Sequence, residues 1–339
     1  MGTLNGSERH RRFAAARTTT PLRREGQTFG GDSLAARYAS FVKLPHTLFA
    51  LPFAGVGAVL ASYTHPENLT FRNALWIVVA FTAARFAAMG FNRIVDRTYD
   101  ALNARTQQRE LPSGRLSLSQ ASFAVAIASV IFVFAAFQLN RLCGWLAPVA
   151  LAWTFFYSYT KRFTSISHWV LGLSLGIAPV GAYLAIAGTW SNPGWALPLL
   201  AAAVMLWVSG FDIVYALQDI DFDRSQGLHS IPARLGIRRS LLVARAVHGA
   251  SVLCFLAIVL LHAFPVGWLF AIAVGLMAGL LHYEHSVVAP RKRTDLPDRP
   301  SHPELAPDIK RIDRAFFRVN ILVSMSFFVF TLFDRLLLK

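Results

Sequence analysis

The sequence predicts an all-α, polytopic membrane protein with nine transmembrane helices and a cytoplasmic N-terminus. Three observations predict it. Of 339 residues, 55% are hydrophobic and only 15% are charged, where a soluble domain carries about 25% charged residues. The mean hydropathy of +0.45 agrees, and so apolar a chain excludes both a soluble enzyme and a disordered polymer. A bilayer core of about 30 Å needs about 20 apolar residues in a helix. Nine runs reach or approach that length: 41–62, 73–92, 118–138, 142–158, 167–188, 196–217, 240–262, 265–284 and 314–333.

The third observation is the alternation of charge between these runs. The N-terminal segment carries eight basic residues, from Arg9 to Lys43. The second loop has Arg93, Arg97, Arg105, Arg109 and Arg115, the fourth Lys161 and Arg162, the sixth Arg224, Arg234, Arg238 and Arg239. The eighth has Arg291, Lys292, Arg293, Arg299, Lys310 and Arg311. The intervening loops hold only Arg72 and Arg141. Cytoplasmic loops collect Lys and Arg, so a miscounted helix would break this alternation. The net charge of +15 is therefore accounted for by a lipid bilayer, and no nucleic-acid partner is expected.

Residues 1–36 lack apolar periodicity and read as a disordered basic arm near anionic lipid headgroups. Glu8, Glu25 and Asp32 weigh against a transit peptide, and no apolar run precedes the first span to act as a secretory signal. Residues 37–339 form the transmembrane domain, with 286–312 read as a cytoplasmic linker before the last helix. Cys143 and Cys254 lie in apolar runs and read as packing residues.

Six of the 18 acidic residues fall in two short segments at the same ends of the second and sixth spans. Ionisable groups at membrane depth are costly, which makes them functional candidates. In NRIVDRTYD, Asn92, Asp96 and Asp100 are spaced by four and share one face if the helix runs through them. Arg85 lies close to the same stripe. In DIVYALQDIDFDR, Asp212, Tyr215, Asp219 and Asp223 share a face, with Asp221 turned away to solvent. Two carboxylate faces at one level suit a pair of hard cations such as Mg²⁺, whose coordination substrate phosphates complete. The basic loops suit the phosphate oxygens. The plain alternative is that these acids pair with neighbouring arginines at the helix ends.

At these residues the chain resembles the UbiA-type membrane prenyltransferase superfamily. Asn92, Asp96 and Asp100 match its Asn-x3-Asp-x3-Asp motif, with Arg93 where Asp is common. NARTQQRELPSGRLS resembles its Arg-Thr loop, with Glu110 in place of a proline. YALQDIDFDRSQGLHSIPARLG, residues 215–236, resembles its second motif, and Tyr157 with Lys161 matches a Tyr-Ser-x-x-Lys element. The resemblance covers residues 37–335.

It implies a nine-helix bundle around a central cavity, and transfer of a polyprenyl chain from its diphosphate to an aromatic acid, through an allylic cation. It implies that Asn92, Asp96 and Asp100 hold one Mg²⁺, and Asp219 and Asp223 the other. Asp96, Asp100, Asp219 and Asp223 are then catalytic, Arg105, Arg109 and Lys161 contact diphosphate, and Asp212 and Tyr215 line the cavity. Arg85 either holds the acceptor carboxylate, orders Asp96 or forms a structural ion pair, and Tyr157 lines the cavity or simply packs. GLHSIPARLG and FVKLPHTLFALPFA resemble the 4-hydroxybenzoate polyprenyltransferase-like branch. Its acceptors include 4-hydroxybenzoate and, on the futalosine route to menaquinone, 1,4-dihydroxy-6-naphthoate, and the sequence leaves both open. A cell inner membrane is the expected location.

The protohaem farnesyltransferase branch shares the first motif but differs in the second region. A CDP-alcohol phosphatidyltransferase needs an Asp-x2-Asp-Gly run that this chain lacks. A cation transporter remains as the non-enzyme alternative, since acids in membrane helices mark ion paths. Among lesser signals, His229 lies where it could touch diphosphate, His282, Glu284 and His285 lack a convincing third metal ligand, and His46 reads as an ordinary helix histidine.

Overall fold

A computed structural model of the chain describes residues 33–43, 50–289, 312 and 315–337. Most of the predicted arm, residue His46 and most of the 286–312 linker lie outside them. The described residues are helical, and no strand occurs among them. In chain order the helices are α1 (Leu34–Phe41), α2 (Leu51–Ser62), α3 (Phe71–Val95), α4 (Arg97–Leu102), α5 (Leu118–Leu139) and α6 (Arg141–Thr160). There follow α7 (Ser167–Ala187), α8 (Ala196–Ala216), α9 (Ile220–Ser225), α10 (Ile231–Leu260), α11 (Trp268–Val288) and α12 (Asn320–Leu337).

Helices begin where the sequence supplies a cap. Ser33, Thr70, Ser117, Asn140 and Ser230 each accept a hydrogen bond from the backbone N–H three residues on. Each such cap contributes about 1 kcal/mol, and Gln120 completes a capping box with Ser117.

Seven helices are long and apolar enough to cross a bilayer, which makes this a multi-pass membrane protein. Two of the nine predicted spans fall outside that class. The described part of the first, α2, has only 12 residues, and α6, with Pro148 inside it and a polar C-terminal turn, has 20. Other bounds shift modestly. Helix α1 starts inside the predicted arm, and α11 extends into the predicted linker. Helix α10 starts at Ile231 rather than 240 because a kink at Gly236 (φ 73°) lets a first turn precede the span.

Helix α7 packs on α2, α6 and α8, while α8 also packs on α10 and α3 lies against α5 and α6. Small residues permit the closest crossings. A Cβ at Gly57 would collide with the Pro179 carbonyl, and one at Gly172 with that of Met205. Lipid gives no hydrophobic force between helices, so such close approach and van der Waals contact hold membrane bundles together. An aromatic core then joins α2, α8, α10 and α12: Phe53 lies 4.9 Å from Trp207 and 5.5 Å from Phe327, and Phe255 lies 4.6 Å from Phe327. Large apolar side chains such as Phe71, Phe123 and Trp145 face outward, as a lipid-facing surface requires.

At the end of the bundle remote from the acidic motifs, buried Asp334 of α12 caps a different helix. Its carboxylate accepts from Gly267 N (2.6 Å) and Leu269 N (3.0 Å) at the start of α11, and from the Tyr63 hydroxyl (2.8 Å). One side chain thereby ties α2, α11 and α12. Asp334→Ala is expected to cost about 2 kcal/mol or more, read as a lower unfolding temperature in detergent. Gly57→Ala is expected to cost about 1–3 kcal/mol by overpacking. An unchanged melting temperature in either variant would contradict these roles.

Candidate active site

The first acidic helix does not run through its motif. Helix α3 ends at Val95, and Asp96 leaves the helix (φ −89°, ψ 4°) before α4 resumes at Arg97. Asp competes with helical backbone through its own hydrogen bonds, and the Asn92 side-chain amide donates to the Asp96 carboxylate at 3.0 Å. The break carries buried Asp100 onto a short separate helix. The loop behind it is fixed by its own polar groups. Thr106 Oγ1 donates to the Asp100 carbonyl (3.1 Å), and Asn103 Oδ1 accepts from Arg105 N (2.9 Å).

The second motif breaks in the same way. Helix α8 ends at Ala216, a tight turn covers Leu217–Asp219, and α9 holds Ile220–Ser225. Gly227 follows with φ 65°, a conformation that suits glycine, and turns the chain back. The return brings the Ser230 hydroxyl 2.7 Å from Asp223 Oδ2. Asp221 is exposed, as the pattern predicts.

The two broken helix ends meet, and each acid finds a base. Arg105 grips Asp219 through two nitrogens, Nε to Oδ1 at 3.0 Å and Nη2 to Oδ2 at 2.6 Å. Arg109 reaches Asp100 Oδ1 at 2.6 Å, Lys161 reaches Asp223 at 2.8 Å and Arg162 reaches Asp96 at 3.4 Å. All eight residues line one cavity of about 110 Å³, with Tyr99, Asn103 and Phe222 among its other walls. Burial, then the neighbouring Asp100 carboxylate, push Asp96 up to about 6, against the pull of Arg162.

The predicted diphosphate contacts Arg105, Arg109 and Lys161 are therefore on carboxylates in this state, as the plain reading of the acids allowed. Among the described residues, no three His, Cys, Asp or Glu side chains are grouped tightly enough to hold a metal ion. The donors still fit a hard cation in kind. They are carboxylate and amide oxygens, and buried Asp100 Oδ2 has no hydrogen-bond partner. Such an orphaned buried oxygen is costly unless something fills its coordination.

Some predicted residues stand apart from this cavity. Asp212 does not line it. Its Oδ2 lies 2.6 Å from His168 Nδ1, while His168 Nε2 lies 3.3 Å from Ile231 N. The backbone N–H needs an acceptor, which leaves the proton on Nδ1 facing Asp212. Asp212 thus ties α8 to α7 and the start of α10. Tyr215 lies beside the cavity, its hydroxyl 3.4 Å from Arg105 Nη1. Tyr157 is half-buried on α6 one turn before Lys161, and Arg85 is half-buried on α3. His282, Glu284 and His285 form no metal group among the described residues. His285 instead pairs with His248 at 2.9 Å. Cys143 and Cys254 are free thiols.

Sequence reasoning missed Arg162 as a partner of Asp96, Asn103 as a donor to Asp219 (3.1 Å), Ser230 on Asp223, and His168. Arg162 adjoins Lys161 and was legible as a loop charge, but its partner was not. His168 lies at the start of a span, six residues after Arg162, and nothing in its spacing points to Asp212.

The fold and cavity define a class: a multi-pass α-helical membrane protein with a charge-paired acid and base cluster at one end of its bundle. The model of the UbiA prenyltransferase family matches residues 50–299, and the chain belongs to that family. It is 31% identical over 227 residues to a 4-hydroxybenzoate octaprenyltransferase from Tolumonas auensis, covering 64% of this chain and 75% of that one. It is 33% identical to a UbiA homolog from Aeropyrum pernix K1 solved in its apo state. That match has a TM-score of 0.73, with 85% of this chain and 98% of that chain covered. A UbiA homolog from Archaeoglobus fulgidus bound to GPP and Mg²⁺ shares the fold, with a TM-score of 0.63 at 17% identity over 87% of this chain and 99% of that chain.

Breaking one buried pair tests the cavity's charge balance. Removing one partner strands a charge and costs about 3–5 kcal/mol, while removing both is much milder. Arg105→Ala is expected to melt well below wild type, and the Arg105→Ala/Asp219→Ala double variant above that single variant. A double variant no more stable than Arg105→Ala would contradict the pairing.

Proposed function

We propose that this protein is an Mg²⁺-dependent polyprenyltransferase that moves a polyprenyl group from polyprenyl diphosphate to a phenolic aromatic acid, in quinone biosynthesis at a cell inner membrane. The observation that carries the reading is the single cavity in which four carboxylates and four bases meet, lined by residues of both motifs. The family and the 4-hydroxybenzoate octaprenyltransferase relative support the reaction type. The Mg²⁺ and GPP in the Archaeoglobus relative support the metal and the diphosphate.

Asn92, Asp96 and Asp100 would hold one ion, and Asp219 and Asp223 the other. Bound Mg²⁺ supplies neutralisation of the diphosphate and of the charge that grows on it as it leaves. Arg105, Arg109 and Lys161 give up their carboxylates and take phosphate oxygens, for which the guanidinium fork is equally suited. The exchange keeps the buried charge nearly balanced throughout, which a cavity with acids alone or bases alone could not do. As the allylic C–O bond breaks, its electron pair stays with the diphosphate, and these bases stabilise it. The electron-rich ring carbon of the acceptor then captures the allylic cation, and the ring proton passes to the released diphosphate. Aromatic faces such as Tyr99 and Tyr215 beside the cavity favour a passing cation. Arg85 would meet the acceptor carboxylate or steady Asp96, and Asp212, through His168, would hold α8 in place against α7.

The test is prenyl transfer in membranes or nanodiscs containing the protein, with geranyl diphosphate or longer donors. The acceptors 4-hydroxybenzoate and 1,4-dihydroxy-6-naphthoate are run in parallel. Transfer is expected with at least one acceptor, lost on chelation, and reduced about 10²-fold or more in Asp96→Ala and in Asp219→Ala. Absence of product with both acceptors would overturn the reading. Isotope uptake into vesicles, if it depended on the same carboxylates, would replace it by cation transport.

A further inference from the structure

A second, larger pocket of about 570 Å³ adjoins the first. Its polar lining comes from Thr164 and Ser165 in the loop between α6 and α7, and from Arg224, His229, Ser230 and Arg234 around the second motif. Leu228 lines both pockets. Two hydrogen bonds form the shared wall: His229 N donates to the Lys161 carbonyl at 2.7 Å, and Ser230 Oγ to Asp223 Oδ2 at 2.7 Å.

The two pockets differ in charge. Each base of the first has its own carboxylate. The second is lined by two arginines and a histidine, with no Asp or Glu. No carboxylate lies within ion-pair distance of Arg224 or Arg234 among the described residues. Arg224 is also held in place, since its Nε donates to the Ala233 carbonyl at 2.9 Å. That leaves its terminal nitrogens for another acceptor, with part of the ordering entropy already lost. Thr164 Oγ1 accepts from Ile166 N at 3.2 Å, so its proton is available for donation into the pocket. Arginine forks, a histidine and hydroxyl donors without a balancing acid are the donor set that phosphate oxygens need.

We propose that this pocket is a second oxyanion site, separate from the acid-lined cavity, which takes a phosphate-bearing anion. Free diphosphate and the headgroup of an anionic lipid offer the same oxygens to it. Only the free-diphosphate case rests on the prenyl-transfer reading, where the site would receive the product on its way out of the cavity.

The test measures binding rather than turnover. The full chain is placed in phosphatidylcholine nanodiscs with EDTA present and titrated with inorganic diphosphate by calorimetry. Wild type is expected to bind. Affinity is expected to fall about tenfold or more in Arg234→Gln, and further in Arg224→Gln/Arg234→Gln, as charge-assisted bonds are lost. The Arg234 side chain makes no hydrogen bond or ion pair among the described residues, so Arg234→Gln changes the charge and keeps the backbone bond to Ser230. Arg224→Lys checks that charge, and not the link to Ala233, carries the effect.

A second arm repeats this in phosphatidylglycerol nanodiscs, with retained lipid counted by native mass spectrometry. Phosphatidylglycerol that blocks diphosphate, and is retained by wild type but lost from the arginine double variant, assigns the site to a headgroup. Diphosphate binding unaffected by that lipid assigns it to the free anion. Failure of prenyl transfer with diphosphate binding intact would remove the reaction and leave the site. Wild type and the arginine double variant behaving alike in both arms would overturn the proposal.

Discussion

Four carboxylates share one cavity at the end of a membrane bundle, and the cost of placing them there governs the surrounding structure. An isolated buried carboxylate is expensive in a medium of low dielectric constant. Here each has a base within 3.4 Å or less, from two loops and two broken helices. Pairing of this kind is weak as a source of stability, because the attraction does little more than offset desolvation. Its effect is to let four acids and four bases share one small space.

The helix breaks make that gathering possible. An uninterrupted α3 would carry Asp96 and Asp100 along a straight stripe, and an uninterrupted α8 would do the same for Asp219 and Asp223. The interruption at Asp96 and the tight turn at Leu217–Asp219 swing the second acid of each pair inward on a short helix. Irregular backbone at membrane depth is tolerated where it lines a polar cavity, since its freed groups find partners there. The rest of the bundle sets the distance between the two ends. Gly57, Gly172 and Gly176 let α2, α7 and α8 approach closely, and the Asp212–His168 contact pins α8 to α7.

Charge separates the two pockets at this end. The acid-lined cavity is neutral in sum, and so has little attraction for an anion until cations join it. Its neighbour is lined by two arginines and a histidine, with no carboxylate among its walls.

The sequence by itself determined the class of fold. Apolar length and alternating loop charge act locally, so their effects are legible without knowing what packs against what. It also singled out candidate residues, because an acid in a membrane helix has few other reasons to be there. Asp96, Asp100, Asp219 and Asp223 line one cavity with Arg105, Arg109 and Lys161, while Asn92 and Asp212 of the same motifs are not among its walls. Only the tertiary structure decided the pairings. Arg105 and Asp219 are 114 residues apart, Asp334 caps a helix 67 residues before it, and Asp212 turns to His168 rather than to the cavity. A periodic pattern reports which side of a helix a residue occupies. It holds no record of what the other helix brings opposite, and where charges are buried the opposite partner settles what each residue does.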